Sequence, residues 1–88
     1  MRKFMSCHTL PAGAMNRGHI DALAQAAQSE PAIRPYRSFL NLAQGKAICV
    51  MEAPDQPTLA AWFTRMRMPC DYIVPLELEG ERGAIKAA

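Results

Sequence analysis

Cysteine is scarce and odd in number: three in 88 residues, at positions 7, 49 and 70. They follow no secretory signal, because Met1-Arg2-Lys3 leads into Phe4-Met5-Ser6-Cys7-His8 instead of a sustained apolar stretch. This argues against a disulfide framework and for a reduced, cytoplasmic setting. No run approaches the ~20 apolar residues of a membrane span. Charge of one sign is also in short supply. The net charge is +2, and the lysines and arginines are scattered, with nothing denser than pairs such as Arg65 and Arg67. A nucleic-acid binder of this size concentrates its cations on one face, so no nucleic acid is expected as a partner. Gly45-Lys46-Ala47-Ile48-Cys49 carries no aromatic on which a base could stack. There is no Cys-x-x-Cys, which argues against a heavy-metal chaperone loop. Pro11-Ala12-Gly13-Ala14 has no arginine to cradle a phosphate as an acylphosphatase would. Glycine-rich nucleotide loops, serine–histidine nucleophile pairs and paired catalytic carboxylates do not stand out either.

Half of the residues are hydrophobic. The length suits one domain, and a chain this short buries only ~60–65% of its unfolded surface. Support from a partner subunit or a metal is therefore expected. Residues 3–9 read as a first strand, bounded by Pro11 and Gly13. Asn16 can cap a helix to about Ser29, in which Ile20, Leu23, Ala24 and Ala27 recur at helical spacing. Residues 36–42 and 46–52 read as two strands joined by a turn at Ala43-Gln44-Gly45. Asp55 caps a second helix over 56–68, with Leu59, Trp62, Phe63 and Met66 on one side and Pro69 as its stop. Residues 71–78 read as a last strand, which Pro75 confines to a sheet edge. The expected fold is thus α+β: one ferredoxin-like β-α-β-β-α-β domain over 1–78, with two helices on one face of a four-stranded antiparallel sheet of order 4-1-3-2. Residues 79–88 are left as a mobile C-terminal tail.

Three segments together resemble a known family: His8-Thr9-Leu10-Pro11-x-Gly13, Tyr36-Arg37-Ser38-Phe39, and Gly45-Lys46-Ala47-Ile48-Cys49-Val50-Met51-Glu52-Ala53-Pro54-Asp55. They look like small ferredoxin-like proteins grouped as a domain of unknown function, one branch of which is described as nickel-binding. The resemblance covers roughly residues 3–78 and is most specific in Cys-x-x-Glu-Ala-Pro-Asp. It implies a homodimer formed through the sheets and nickel or another divalent transition metal as ligand. The second helix, Trp62-Phe63-Thr64-Arg65-Met66-Arg67, departs from the metal-binding members in having no histidine.

Strand alternation suggests where a metal would sit. Met5 and Cys7, Ile48 and Val50, and Tyr72, Val74, Leu76 and Leu78 are assigned to the helix side. Phe4, Ser6, His8, Phe39, Cys49 and Met51 then fall on the open face, which a second subunit is expected to cover. With strands one and three taken as adjacent and parallel, His8 and Cys49 become neighbours and candidate metal ligands, completed to four by a dimer mate. The bland alternative is a packed Cys49 and a hydrogen-bonded His8. Cys7 and Cys70 read as packing residues. A second constellation gathers His8, Glu52, Tyr36, Arg37, Asp71 and Tyr72 at one end of the sheet. There His8 with Tyr36 or Glu52 could transfer protons, as in a small cofactor-independent oxygenase or isomerase of the dimeric α+β barrel type. Against it stands a simple ion pair of Arg37 with Glu52 or Asp71. The third reading is a non-catalytic module that binds a ligand or a partner.

Overall fold

The computed structural model describes residues 1–88. Its elements are β1 (Arg2–Thr9), α1 (Arg17–Ser29), β2 (Arg34–Asn41), β3 (Lys46–Ala53), α2 (Gln56–Arg65), β4 (Tyr72–Pro75), β5 (Leu78–Glu81) and β6 (Ala84–Ala87). The helix starts are where the side chains put them. Asn16 Oδ1 accepts the backbone N–H of His19 and Asp55 Oδ1 that of Thr58, each at 2.8 Å, which satisfies donors that the first turn leaves without partners. The second helix stops three residues before the expected position. Arg67 turns left-handed at φ 56, and Met68 N–H reaches back to the Phe63 carbonyl at 2.9 Å while Arg67 N–H bonds that of Thr64 at 3.0 Å. This pair of bonds is a Schellman stop, here without the usual glycine.

The four-stranded sheet has the order β2-β3-β1-β4, which gives the neighbours of 4-1-3-2 when read from the other edge. All three pairings are antiparallel, so the parallel β1–β3 expectation is corrected. Each helix connects two strands that run the same way with one strand between them, and every hydrogen-bonded pair is thereby antiparallel. Pro75 lies on edge strand β4 and Pro35 on edge strand β2, where the register shifts between Pro35 and Arg37. The β2–β3 turn needs its glycine. Gly45 has φ 69, and a Cβ there would lie 2.2 Å from the Leu10 carbonyl oxygen.

Both helices pack on one face, but it is not the face that alternation selected. Phe4, Ser6 and His8 of β1 and Ala47, Met51 and Ala53 of β3 are buried beneath Leu59, Trp62 and Phe63 of α2. Phe39, Ile48, Tyr72 and Val74 are left exposed on the other face. A shift of one residue exchanges the two sides of a strand, and here both sides are apolar enough to pass for the core. The helix side favours small residues such as Ala47, Ala53 and Ser6, over which α2 can approach closely. The wider β-branched and aromatic side chains remain outside.

Residues 79–88 are not a loose tail. The chain leaves β4 after Pro75 and forms the β5–β6 hairpin, paired from Leu78↔Ala87 to Glu81↔Ala84. Arg82 and Gly83 both have positive φ, 51 and 84, as a two-residue turn that matches strand twist requires. The hairpin is tied to the body through Glu79, which pairs with Lys3 at 2.9 Å and accepts the Tyr36 hydroxyl at 3.1 Å. Arg37 and Glu81 add a contact at 3.6 Å.

Candidate functional site

The most deeply placed polar side chains are Ser6 and His8, both fully buried. They stand two apart on β1 and so share its helix side. His8 Nδ1 lies 2.8 Å from the Pro69 carbonyl oxygen, and Nε2 lies 2.8 Å from Ser6 Oγ. A carbonyl can only accept, so Nδ1 carries the proton and Nε2 accepts the Ser6 hydroxyl. The imidazole rests against the Phe63 ring, with centroids 4.6 Å apart. Burial lowers the His8 pKa, against smaller opposing effects of the Pro69 carbonyl and the Asp71 charge. The ring is therefore neutral at neutral pH.

Hydroxyl, imidazole and carbonyl are thus aligned as nucleophile, base and orienting acceptor. Ser6 is sealed from solvent, so the pair as placed is an internal tie between β1 and the segment that follows α2. The spacing Ser-x-His on a strand could have announced it. The inverted assignment of faces concealed it, and the Pro69 carbonyl, 61 residues away, gives no sequence signal.

Cys49 does come close to this pair, though on the helix side. One row across the sheet runs Ser38↔Cys49↔Ser6↔Ile73, and the next runs Leu40↔Ala47↔His8. His8 and Cys49 are therefore diagonal neighbours facing the helices, not exposed neighbours on the open face. Burial raises the Cys49 thiol pKa, tempered by hydrogen bonding to the Ser38 and Ser6 hydroxyls. Cys70 is an exposed residue whose Sγ turns back to 3.5 Å from His8 Nδ1. Its pKa is pushed up to about 11, first by desolvation and then by the charges of Cys49 and Asp71.

These residues do not fit a nickel ion as they stand. Both nitrogens of His8 already hold protein partners, the thiols favour their protonated forms, and no three His, Cys, Asp or Glu side chains gather as a ligand set. A metal would have to displace Ser6 or the Pro69 carbonyl.

The second constellation divides between the two ends of the sheet. His8 pairs with Ala47, whereas Glu52 pairs with Lys3 and Arg34. The two positions are five residue steps apart along β3, roughly 16 Å. Tyr36 lies at the Glu52 end with its hydroxyl on Glu79, and Arg37 turns to Glu81 instead of Glu52 or Asp71. Only Asp71 and Tyr72 stay with His8. Asp71 accepts the Thr9 hydroxyl at 2.6 Å, and Tyr72 faces Cys7 across β1–β4. The proton-transfer group of His8, Tyr36 and Glu52 is therefore not assembled within the chain.

Comparison of the chain with protein-family models, curated proteins and solved structures gives no match.

Proposed function

We propose that the chain is the subunit of a homodimeric, non-catalytic module of ferredoxin-like architecture, in which two copies close their open sheet faces on each other. The observation that carries this is the composition of that face. One row runs Phe39–Ile48–Cys7–Tyr72, and the next runs Val50–Met5–Val74 with Arg37 at its outer end. Seven neutral side chains thus span four strands, and Phe39 is 59% and Tyr72 44% exposed.

Three strands of eight residues and a fourth of four, about 4.8 Å apart, present a face of roughly 440 Å² in projection. Side-chain relief raises its accessible area toward the ~800 Å² per partner that a specific pair removes from water. A second copy is the occupant favoured by symmetry, because a two-fold contact lets one neutral patch serve both partners. The element order supports the ferredoxin-like reading, and the resemblance of residues 3–78 to dimeric proteins of that class agrees with it.

Sedimentation equilibrium tests the proposal. The wild type should have twice the 9.7 kDa chain mass at micromolar concentration. Ile48→Lys places a charge at the centre of the face and should give a monomer with an unchanged circular dichroism spectrum. Ala61→Lys, on the exposed side of α2, should leave the dimer intact. A wild-type monomer at micromolar concentration overturns the reading, as does an Ile48→Lys dimer.

A further inference from the structure

Helix α1 stands away from the sheet. Its capped start and apolar spacing bring Ile20 and Leu23 over β2, yet Ala27 is its only buried residue. Beneath it, the helix side of edge strand β2 offers Ser38 and Leu40, both exposed. Between α1, β2 and α2 lies a cleft of about 270 Å³. Leu23 and Ala24 of α1 form one wall and Trp62 of α2 the other, and Ser38 and Cys49 lie side by side in the floor next to Met51.

We infer that this cleft is a binding site for a small neutral aromatic molecule carrying one hydrogen-bonding group. Its dimensions set the size. An apolar cavity of ~150 Å³ holds benzene, so this larger space accommodates two fused rings. Its chemistry sets the polarity. No charged side chain lines the cleft, and an ion placed there would lose its hydration without gaining a partner. The polar contacts are the Ser38 hydroxyl and the Cys49 thiol, adjacent in one row of the sheet. Ser38 can donate to or accept from a ligand hydroxyl. Behind Cys49, Ser6 is engaged with His8, whereas the exposed Ser38 hydroxyl beside Cys49 can rotate toward a ligand and orient it. Leu23, Pro35 and Leu40, which keep apolar surface open to the cleft, supply the contacts to the rings, and the buried Trp62 and Met51 back them. The cleft lies on the opposite face of the sheet from the proposed subunit contact and does not depend on it.

Isothermal titration calorimetry with 2-naphthol as probe tests the inference, with 2-naphthoate as its charged counterpart. The wild type should bind 2-naphthol saturably, with about one site per chain, and 2-naphthoate about tenfold or more weakly than that. Ser38→Ala should weaken 2-naphthol about fivefold through loss of one hydrogen bond. Ala24→Trp, which fills the cleft from the rim, should abolish binding while the fold is retained. Non-saturable heats with the wild type overturn the inference. So does 2-naphthoate binding as tightly as 2-naphthol, or a Ser38→Ala variant with unchanged affinity. The Ser38→Ala measurement decides the matter even if Ala24→Trp does not fold.

Discussion

His8 shows how one residue's environment becomes a property of the whole protein. Its imidazole is buried and neutral, with a pKa lowered from 6.5. In the unfolded chain the same group takes up a proton as pH falls through 6.5. The unfolded state then binds more protons than the folded one, so stability declines with falling pH. The contribution is fully present above about pH 6.5 and is lost progressively as pH falls from there toward the lower folded value. Thermal unfolding followed between about pH 8 and pH 5 should show a falling midpoint, and His8→Gln should flatten that slope. His8→Ala, which leaves Ser6 and the Pro69 carbonyl without their partner beside a cavity, should cost about 3 kcal/mol in urea unfolding. Neither substitution should alter the response to added nickel.

Elements are specified by signals of unequal reach. Asn16 and Asp55 act within their own turns, so the helix starts were readable from the chain alone. Pro75 forbids a central strand by its missing N–H, and β4 lies at the edge. Gly45 is needed for a less visible reason: the β2–β3 turn presses against the Leu10 and Pro11 carbonyls after β1. Gly45→Ala must therefore strain φ and move backbone, and a loss of about 2–4 kcal/mol by chemical denaturation is expected. Other signals were ambiguous or distant. Alternation in β1 and β3 offered two apolar faces, and only the approach of α2 over Ala47 and Ala53 chose between them. That choice moved His8 and Cys49 from open surface to core, and the antiparallel pairing of β1 with β3 put His8 and Glu52 at opposite ends of the sheet. The hairpin at Arg82-Gly83 was missed, because Arg-Gly is a weaker turn signal than Asn-Gly or Asp-Gly. Its attachment to Lys3, 76 residues away, gives no sequence signal.

The whole molecule is a sheet with one covered side. Only 14 of 88 residues are buried, so the covered side alone gives a small core. The extents are 34 × 30 × 21 Å, and the radius of gyration is 12.9 Å, slightly above the ~12 Å usual for this chain length. Sheet and helices make two layers, and a third layer is what a second copy would add. If the open faces meet, folding and association are linked by mass action. The thermal midpoint should then rise with protein concentration over the range in which the wild type dissociates. The midpoint of Ile48→Lys should not.

The position of β1 between β3 and β4 also bears on the order in which the chain can acquire structure during synthesis. Of the four strands in this sheet, the earliest to be made is the one whose two edges are satisfied last. Its β3 edge is matched only when residues through Ala53 have emerged, and its β4 edge only at Pro75. His8 finds its Nδ1 acceptor only when Pro69 arrives. Until then β1 offers free backbone donors and acceptors beside apolar side chains, the combination by which growing strands pair with the wrong neighbour. The central strand is thus the most enclosed part of the finished protein and the most vulnerable part of the unfinished one.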